Sequence, residues 1–256
     1  MMGSEWSSKT TNRYPSGLGM YKKNGSEVIR RQLMGSEWFT DLGPVIQDAI
    51  LENAGVRQYL AGQTISPEDS PPLGLFAVLQ GQVDLVRHVG EDRQILYHVG
   101  GPGFWFGELG ALRGEVTAVT VLAREDTTVL LLPVAKFREL ADAHPAFLHA
   151  CMKVVYQRLA ILIRYLAQAQ WLSPEEYLRV RLADLAELRA KDQMIVPPVE
   201  LDISQSDLAR MVGTSRQTVN ALLQRIEADG LIEVKFKMIR ILEPERLRGP
   251  RRKTGL

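Results

Sequence analysis

The chain has 256 residues, 45% of them hydrophobic, and a formal net charge of +1. That length admits two domains with separate cores, and the near-neutral balance excludes a global basic field, so any nucleic-acid surface has to be local. Cys151 is the one cysteine, which excludes an internal disulfide framework and any multi-cysteine iron–sulfur or zinc cluster built by a single chain.

Residues 1–33 are rich in Ser, Gly, Lys, Thr and Asn and carry no sustained hydrophobic period. They read as a flexible leader that lacks the apolar core of a signal peptide. The pentapeptide Met2-Gly3-Ser4-Glu5-Trp6 returns as Met34-Gly35-Ser36-Glu37-Trp38. One echo is not a solenoid repeat. Trp38, Phe39 and Leu42 are expected to pin the second copy to the domain that follows.

Residues 34–143 carry mostly strand signals. A short helix over Pro44–Asn53 puts Val45, Ile46, Ala49 and Ile50 on one side. Phe76–Leu79 leads through Gln80-Gly81-Gln82 into Val83–Val86, a hairpin-like pair about a glycine turn. Further strands are predicted at Gln94–Val99, Ala118–Leu122 and Thr127–Leu132, and a connecting helix at Val134–Ala143. Many short strands at this spacing predict an antiparallel, jelly-roll-like β-roll. Inside it lies Phe104-Trp105-Phe106-Gly107-Glu108-Leu109-Gly110. Gly107 and Gly110 permit tight turns whose amides can form an anion nest, and Glu108 can accept from a ligand hydroxyl. By residue chemistry alone, two glycines in a β domain are more often simple bends.

Residues 144–171 form the divider. No Gly or Pro follows Pro145 until Pro174, and Leu148, Met152, Val155, Leu159, Leu162, Leu166 and Ala169 recur in steps of four and three. That is the seam of two helices packed side by side, and it predicts a homodimer. The alternative is one long helix buried within its own domain. Phe147, Ile161 and Ile163 lie off the seam, so one flank is expected against the chain's own domain. Arg158 and Arg164 interrupt the richest apolar run, which predicts no membrane span and a cytoplasmic protein.

Residues 172–248 are mostly helical, and 249–256 form a basic tail. Ser173, Pro174 and Glu176 open a helix running toward Lys191. A loop with Pro197-Pro198 follows. Ser204-Gln205-Ser206-Asp207 starts a short helix with a box-like cap, Gly213 ends it, and Thr214-Ser215 starts a second helix over Arg216–Ala228. This is helix, tight turn, helix, and the strands after Gly230 read as a wing. The second helix begins with Thr214, Ser215, Arg216, Gln217, Thr218 and Asn220, a dense set of hydrogen-bonding groups suited to a major-groove edge. Arg210 and Arg225 are candidates for phosphate contacts. A purely structural helix–turn–helix with a solvated polar face is the competing reading.

Gly107-Glu108-Leu109-Gly110, a long helix, Asp207-Leu208-Ala209, Gly213 and Ser215-Arg216-Gln217-Thr218-Val219 together resemble the Crp/Fnr family of bacterial transcription regulators. The resemblance runs from about Phe39 to Leu242. It implies an α+β protein: an antiparallel β-roll of the cyclic-nucleotide-binding type, a central dimerisation helix and a C-terminal winged helix–turn–helix. It implies a homodimer on a palindromic operator in double-stranded DNA, with Ser204, Gln205, Thr214, Ser215, Arg216, Gln217, Thr218, Asn220 and Arg225 as the DNA-facing set. It adds RNA polymerase and a small-molecule effector as candidate partners. The family's three reading positions fall on Arg216, Gln217 and Ala221, so one usual arginine is an alanine here.

The effector region departs further. The resemblance gives Gly107, Glu108, Leu109, Thr117 and Ala118 as the effector-facing set. Cyclic-AMP-responsive members place an arginine where this chain has Val116, so cyclic AMP is not the expected ligand, and the cofactor is unknown. Arg113 and Arg124 are the cations near enough in sequence to substitute. No iron–sulfur cluster is expected. His88, His98, His144 and His149 show no metal-site spacing, and no nucleophile elbow appears, so no enzyme is predicted. The rival of another class is a ligand-binding or protein-interaction module whose winged helix does not act on DNA.

Overall fold

A computed structural model of the chain describes residues 23–90, 93–193, 197–235 and 238–248. The first copy of the pentapeptide, most of the predicted leader and the basic tail lie outside these residues. The last part of the leader does not follow its composition. Helix α1 (Lys23–Leu33) buries Ile29 and Leu33 in the first core. These residues stand four apart on one helical face, too few for a long periodicity search but enough to dock one helix. Helices α2 (Glu37–Asp41) and α3 (Pro44–Asn53) follow. Phe39 and Leu42 are buried as expected, whereas Val45 is exposed and Gln47 is buried in its stead. The Gln47 amide donates to the Phe39 and Leu42 carbonyls at 2.9 and 2.8 Å and accepts from Arg30 at 2.7 Å. Its polar atoms are therefore satisfied, which is what permits burial.

Eight strands build the roll: β1 (Gly55–Tyr59), β2 (Thr64–Ser66), β3 (Gly74–Gln80), β4 (Val83–Val89), β5 (Arg93–Gly100), β6 (Trp105–Phe106), β7 (Thr120–Ala123) and β8 (Thr127–Pro133). They form two antiparallel sheets of order β1-β8-β3-β6 and β2-β7-β4-β5. The predicted Phe76–Val86 hairpin is therefore a correction. Gly81, at φ 81°, carries the chain from one sheet to the other, so β3 pairs with β8 and β4 with β5 and β7. Two faces, each needing an apolar partner, are better covered by sheet-on-sheet packing than by a local hairpin. Phe76, Val78, Val83, Phe106, Val121, Val129 and Leu131 fill the space between the sheets.

Between β6 and β7 lies the short helix α4 (Glu108–Arg113), and after β8 come α5 (Val134–Ala143) and α6 (Pro145–Trp171). The outer face of the first sheet is covered by α1, α2, α3, α5 and the start of α6, through Phe137, Phe147 and Cys151. Helix α7 (Pro174–Gln193), strand β9 (Val199–Leu201), α8 (Gln205–Val212), α9 (Arg216–Ala228), β10 (Ile232–Lys235), β11 (Met238–Ile241) and α10 (Pro244–Leu247) complete the chain. β10, β11 and β9 form one antiparallel sheet, so the wing has a third strand inside the predicted loop. Its core continues into the roll through Val86 of β4 and Leu96 of β5.

Helix α6 is long and apolar enough, by length and composition, to cross a membrane, with a mean hydropathy of 1.4 in its best window. The charges expected to forbid this are too widely spaced to do so. The helix is nonetheless fastened to folded protein along its length. Lys153 pairs with Asp41 at 3.1 Å, Arg158 with Glu108 at 2.5 Å and Arg164 with Asp184 at 3.5 Å.

Candidate functional site

The helix–turn–helix is built locally as its residues dictate. The Ser204 hydroxyl accepts from the Asp207 amide at 3.1 Å while the Asp207 carboxylate accepts from the Ser204 amide at 3.1 Å. This reciprocal cap satisfies two free helix-end donors. Gly213 closes α8 at φ 75°, a left-handed conformation that favours glycine. The Ser215 hydroxyl accepts from the Thr218 amide at 3.0 Å and starts α9. Val219, Leu222, Leu223 and Ile226 point inward, all 7% exposed or less. Arg216, Gln217, Thr218, Asn220 and Ala221 are exposed on the other side, at the start of the helix.

The proposed DNA set divides in two. Arg216, Gln217 and Thr218 face outward together with Asn220, whose side-chain oxygen accepts from Gln205 at 3.1 Å. Ser204 is committed to its cap, and the Ser215 and Thr218 hydroxyls are 2.8 Å apart. Arg225 is well exposed, with Glu175 at 3.7 Å. Arg210 does not stand free for a phosphate. It donates to Gln94 of β5 at 2.6 Å and to Asp207 at 2.7 Å, and lies 3.4 Å from Asp84 of β4.

Arg124 completes the same cluster, so it is not turned toward the effector cassette. It pairs with Asp84 at 2.8 Å and also with Asp207. Four charged side chains, two from the roll and two from α8, thus join the domains. Burial raises the Asp207 carboxyl, but hydrogen bonds from Arg210, Arg124 and Ser204 outweigh it and hold the group at about 2. Sequence patterning missed this cluster because its members lie over 100 positions apart in places and fall in separate elements.

The glycine cassette is closed on itself. Gly107 sits at φ 95°, and a Cβ there would strike the Gly74 carbonyl of the neighbouring strand. Its role is close backbone approach. Glu108 is 3% exposed and bound by Arg158, whose guanidinium also donates to the Trp105 carbonyl and lies 5.1 Å from the Phe104 ring centre. Thr117 donates its hydroxyl to the Pro67 carbonyl, and its amide bonds the Ser70 carbonyl at 2.9 Å. Leu109, Val116 and Ala118 are exposed, and the Ala118 carbonyl accepts from Arg87 at 2.5 Å. The Arg113 side chain lies outside the described residues. A small apolar crevice lies beside the cassette, lined by Trp38, Leu75, Trp105, Glu108, Cys151 and Val154.

The predicted seam of α6 is uncovered. Met152, Leu159, Leu162 and Leu166 are 60%, 53%, 48% and 63% exposed, Leu148 is 36% exposed, and Val155 is half-buried. Phe147 and Cys151, on the neighbouring flank of the helix, are fully buried. Ile163, expected on the covered flank, is instead 60% exposed, because the apolar core of the roll meets the helix only through Phe147, Ala150 and Cys151. His88 is exposed and 2.8 Å from Glu68. Among the described residues no group of three or more His, Cys, Asp or Glu side chains is arranged to hold a metal.

Comparison with known proteins agrees with this geometry. Residues 56–144 match the cyclic nucleotide-binding domain family, and residues 157–249 match the Crp-like helix-turn-helix domain family. The cAMP-activated global transcriptional regulator Vfr of Pseudomonas aeruginosa is 27% identical over 195 residues, covering 74% of this chain and 90% of Vfr. The cAMP-activated global transcriptional regulator CRP of Haemophilus influenzae is 24% identical over 216 residues, 84% of this chain and 95% of that one. Among solved structures, the c-di-GMP responsive global regulator CLP of Xanthomonas campestris is 22% identical with a TM-score of 0.66, covering 78% of this chain and 99% of its own. FixK2 of Bradyrhizobium japonicum, at 18% identity, has a TM-score of 0.67 and shares the fold over 76% of this chain and 95% of its own. With a nucleotide-type roll and a Crp-like helix–turn–helix in one chain, the protein belongs to the Crp/Fnr family of transcription regulators and is not an enzyme.

Proposed function

We propose that the chain acts in the cytoplasm as a homodimer that binds a palindromic operator, reads it through α9, and has its DNA affinity set by a small effector in the roll. The observation that carries this is the outward set Arg216, Gln217 and Asn220 on a helix whose other face is fully packed. A groove-entering helix needs that division between apolar anchor and polar edge. The uncovered stripe of α6 supports the dimer: Met152, Leu159, Leu162 and Leu166, exposed on one helical face, are the kind of surface a second copy covers. One α9 reads a few base pairs, and the two-fold supplies the second half-site about one helical turn away.

Vfr and CLP answer to different cyclic nucleotides. For this chain cyclic AMP is a poor fit, since Val116 is exposed and Glu108 already has a cation. Ser204 contributes by capping α8, and the remaining set of Gln205, Thr214, Ser215, Thr218 and Arg225 orients α9 or meets phosphates. RNA polymerase is the macromolecular partner such a regulator would address after binding. Selection from random DNA, followed by titration of the enriched site over a range of salt, tests the reading. A palindrome with guanine in each half and a steep salt slope is expected. Loss of any sequence preference would overturn it.

A further inference from the structure

Arg181 of α7 is 3% exposed. Its guanidinium carbon lies over the Tyr165 ring, 3.7 Å from the centre. Nε and Nη1 are buried and have no acceptor. Arginine stays charged in a protein, so it cannot escape this burial by losing a proton. Glu108 is held by Arg158 at 2.5 Å, and Asp184 lies within ion-pair distance of Arg164 and Arg248, at 3.5 and 2.7 Å, although its Oδ1 makes no hydrogen bond. Arg158 and Arg181 both act on His98 of β5, whose imidazole stacks on Phe104 with centres 4.6 Å apart. Arg181 is thus a buried cation with two free donors and no salt bridge among the described residues.

A buried, uncompensated cation is costly, and an anion that meets its free donors recovers that cost. We propose that Arg181 anchors an anion-binding site at the junction of β5, α6 and α7, which takes a small ligand through a phosphate group. A phosphate suits the site better than a carboxylate. Arg181 has no salt bridge among the described residues, and a phosphate offers four oxygens to its separate free donors, Nε and Nη1, where a carboxylate offers two. The site is separate from the position of Val116, where the family places its arginine. It lies where α6 turns into α7, so occupancy bears on how the reading domain is held; this consequence rests on the proposed function, whereas binding itself does not.

The test uses the full chain. Melting temperature and heats of binding are measured with inorganic phosphate, and with acetate at matched ionic strength, for the wild type and Arg181→Met. Phosphate is expected to raise the wild-type melting temperature in a saturable way, by linkage, and acetate is not. Arg181→Met should abolish the rise, and Arg181→Lys should restore part of it. A second readout needs no variant: the His98 ring, held at about 4 by burial and by Arg158 and Arg181, should titrate higher by NMR when phosphate is bound. Adenosine monophosphate in place of phosphate shows whether a nucleoside strengthens binding. Equal phosphate stabilisation in wild type and Arg181→Met, or an unmoved His98 titration, would overturn the proposal. DNA affinity is measured in parallel. A protein that binds phosphate and no DNA sinks the regulator reading alone, and one that binds DNA but no phosphate sinks this site alone.

Discussion

At the scale of single residues, the outward start of α9 makes the sharpest claims. Arg216 can donate in parallel to guanine O6 and N7, so Arg216→Ala should cost about 1–3 kcal/mol per half-site and relax preference at one base pair. Arg225→Ala should weaken all sequences alike if that side chain meets only phosphate. Sequence selection with both variants checks this, and a uniform loss for Arg216→Ala would reassign it to the backbone. His98 supplies a pH prediction. Its pKa is lowered from 6.5 to about 4, first by burial and then by Arg158 and Arg181. The unfolded chain therefore binds more protons than the folded one between those two values. Stability from this group is complete above about pH 6.5 and is lost as the pH falls toward 4. Urea melts at pH 7 and pH 5 should show the lower midpoint at pH 5, and His98→Gln should flatten the difference.

At the scale of elements, α6 and the domain junction carry the argument. Leu159→Asp puts a charge in the uncovered stripe, and sedimentation is expected to show monomer with collapsed DNA affinity. A dimeric variant would remove the seam from the assignment. Across the junction, Arg124→Gln leaves Asp84 and Asp207 short of a partner. It should destabilise the docking of α8 on β4 and β5 by about 3 kcal/mol, read as faster amide exchange in α8 with the roll unchanged. These two elements also measure what patterning can reach. The seam of α6 and the caps of α8 and α9 were legible because their partners lie within one or two helical turns. The Arg124 cluster and the buried Arg181 were not, because charges far apart in sequence meet only once the sheets have closed. The β3–β4 hairpin was misread for a related reason: a glycine turn looks the same whether the next strand pairs or changes sheet. Helix α1 escaped notice because two buried side chains, Ile29 and Leu33, are too short a period to rise above a polar composition.

At the scale of the whole molecule, roll and reading domain share a continuous apolar core through Val86 and Leu96. The two are therefore expected to melt together, in one transition rather than two. If the stripe of α6 holds a second copy, the melting temperature should also rise with protein concentration, since folding and association are then linked. Scanning calorimetry over a hundredfold concentration range checks both statements. Two well-separated transitions would show that the junction is weaker than its buried ion pairs imply.

The solitary thiol of Cys151 gives this architecture a built-in chemical clock. It is 1% exposed on the inner face of α6, and burial, with the nearby Glu108 charge, pushes it up to about 12. With no other cysteine to contribute background, a thiol reagent in excess reacts only as fast as α6 lifts from the roll. The colour released over minutes or hours then counts those opening events directly. Run with and without phosphate, or with and without operator, it reports whether a ligand bound elsewhere tightens or loosens the helix, with no label and no mutation.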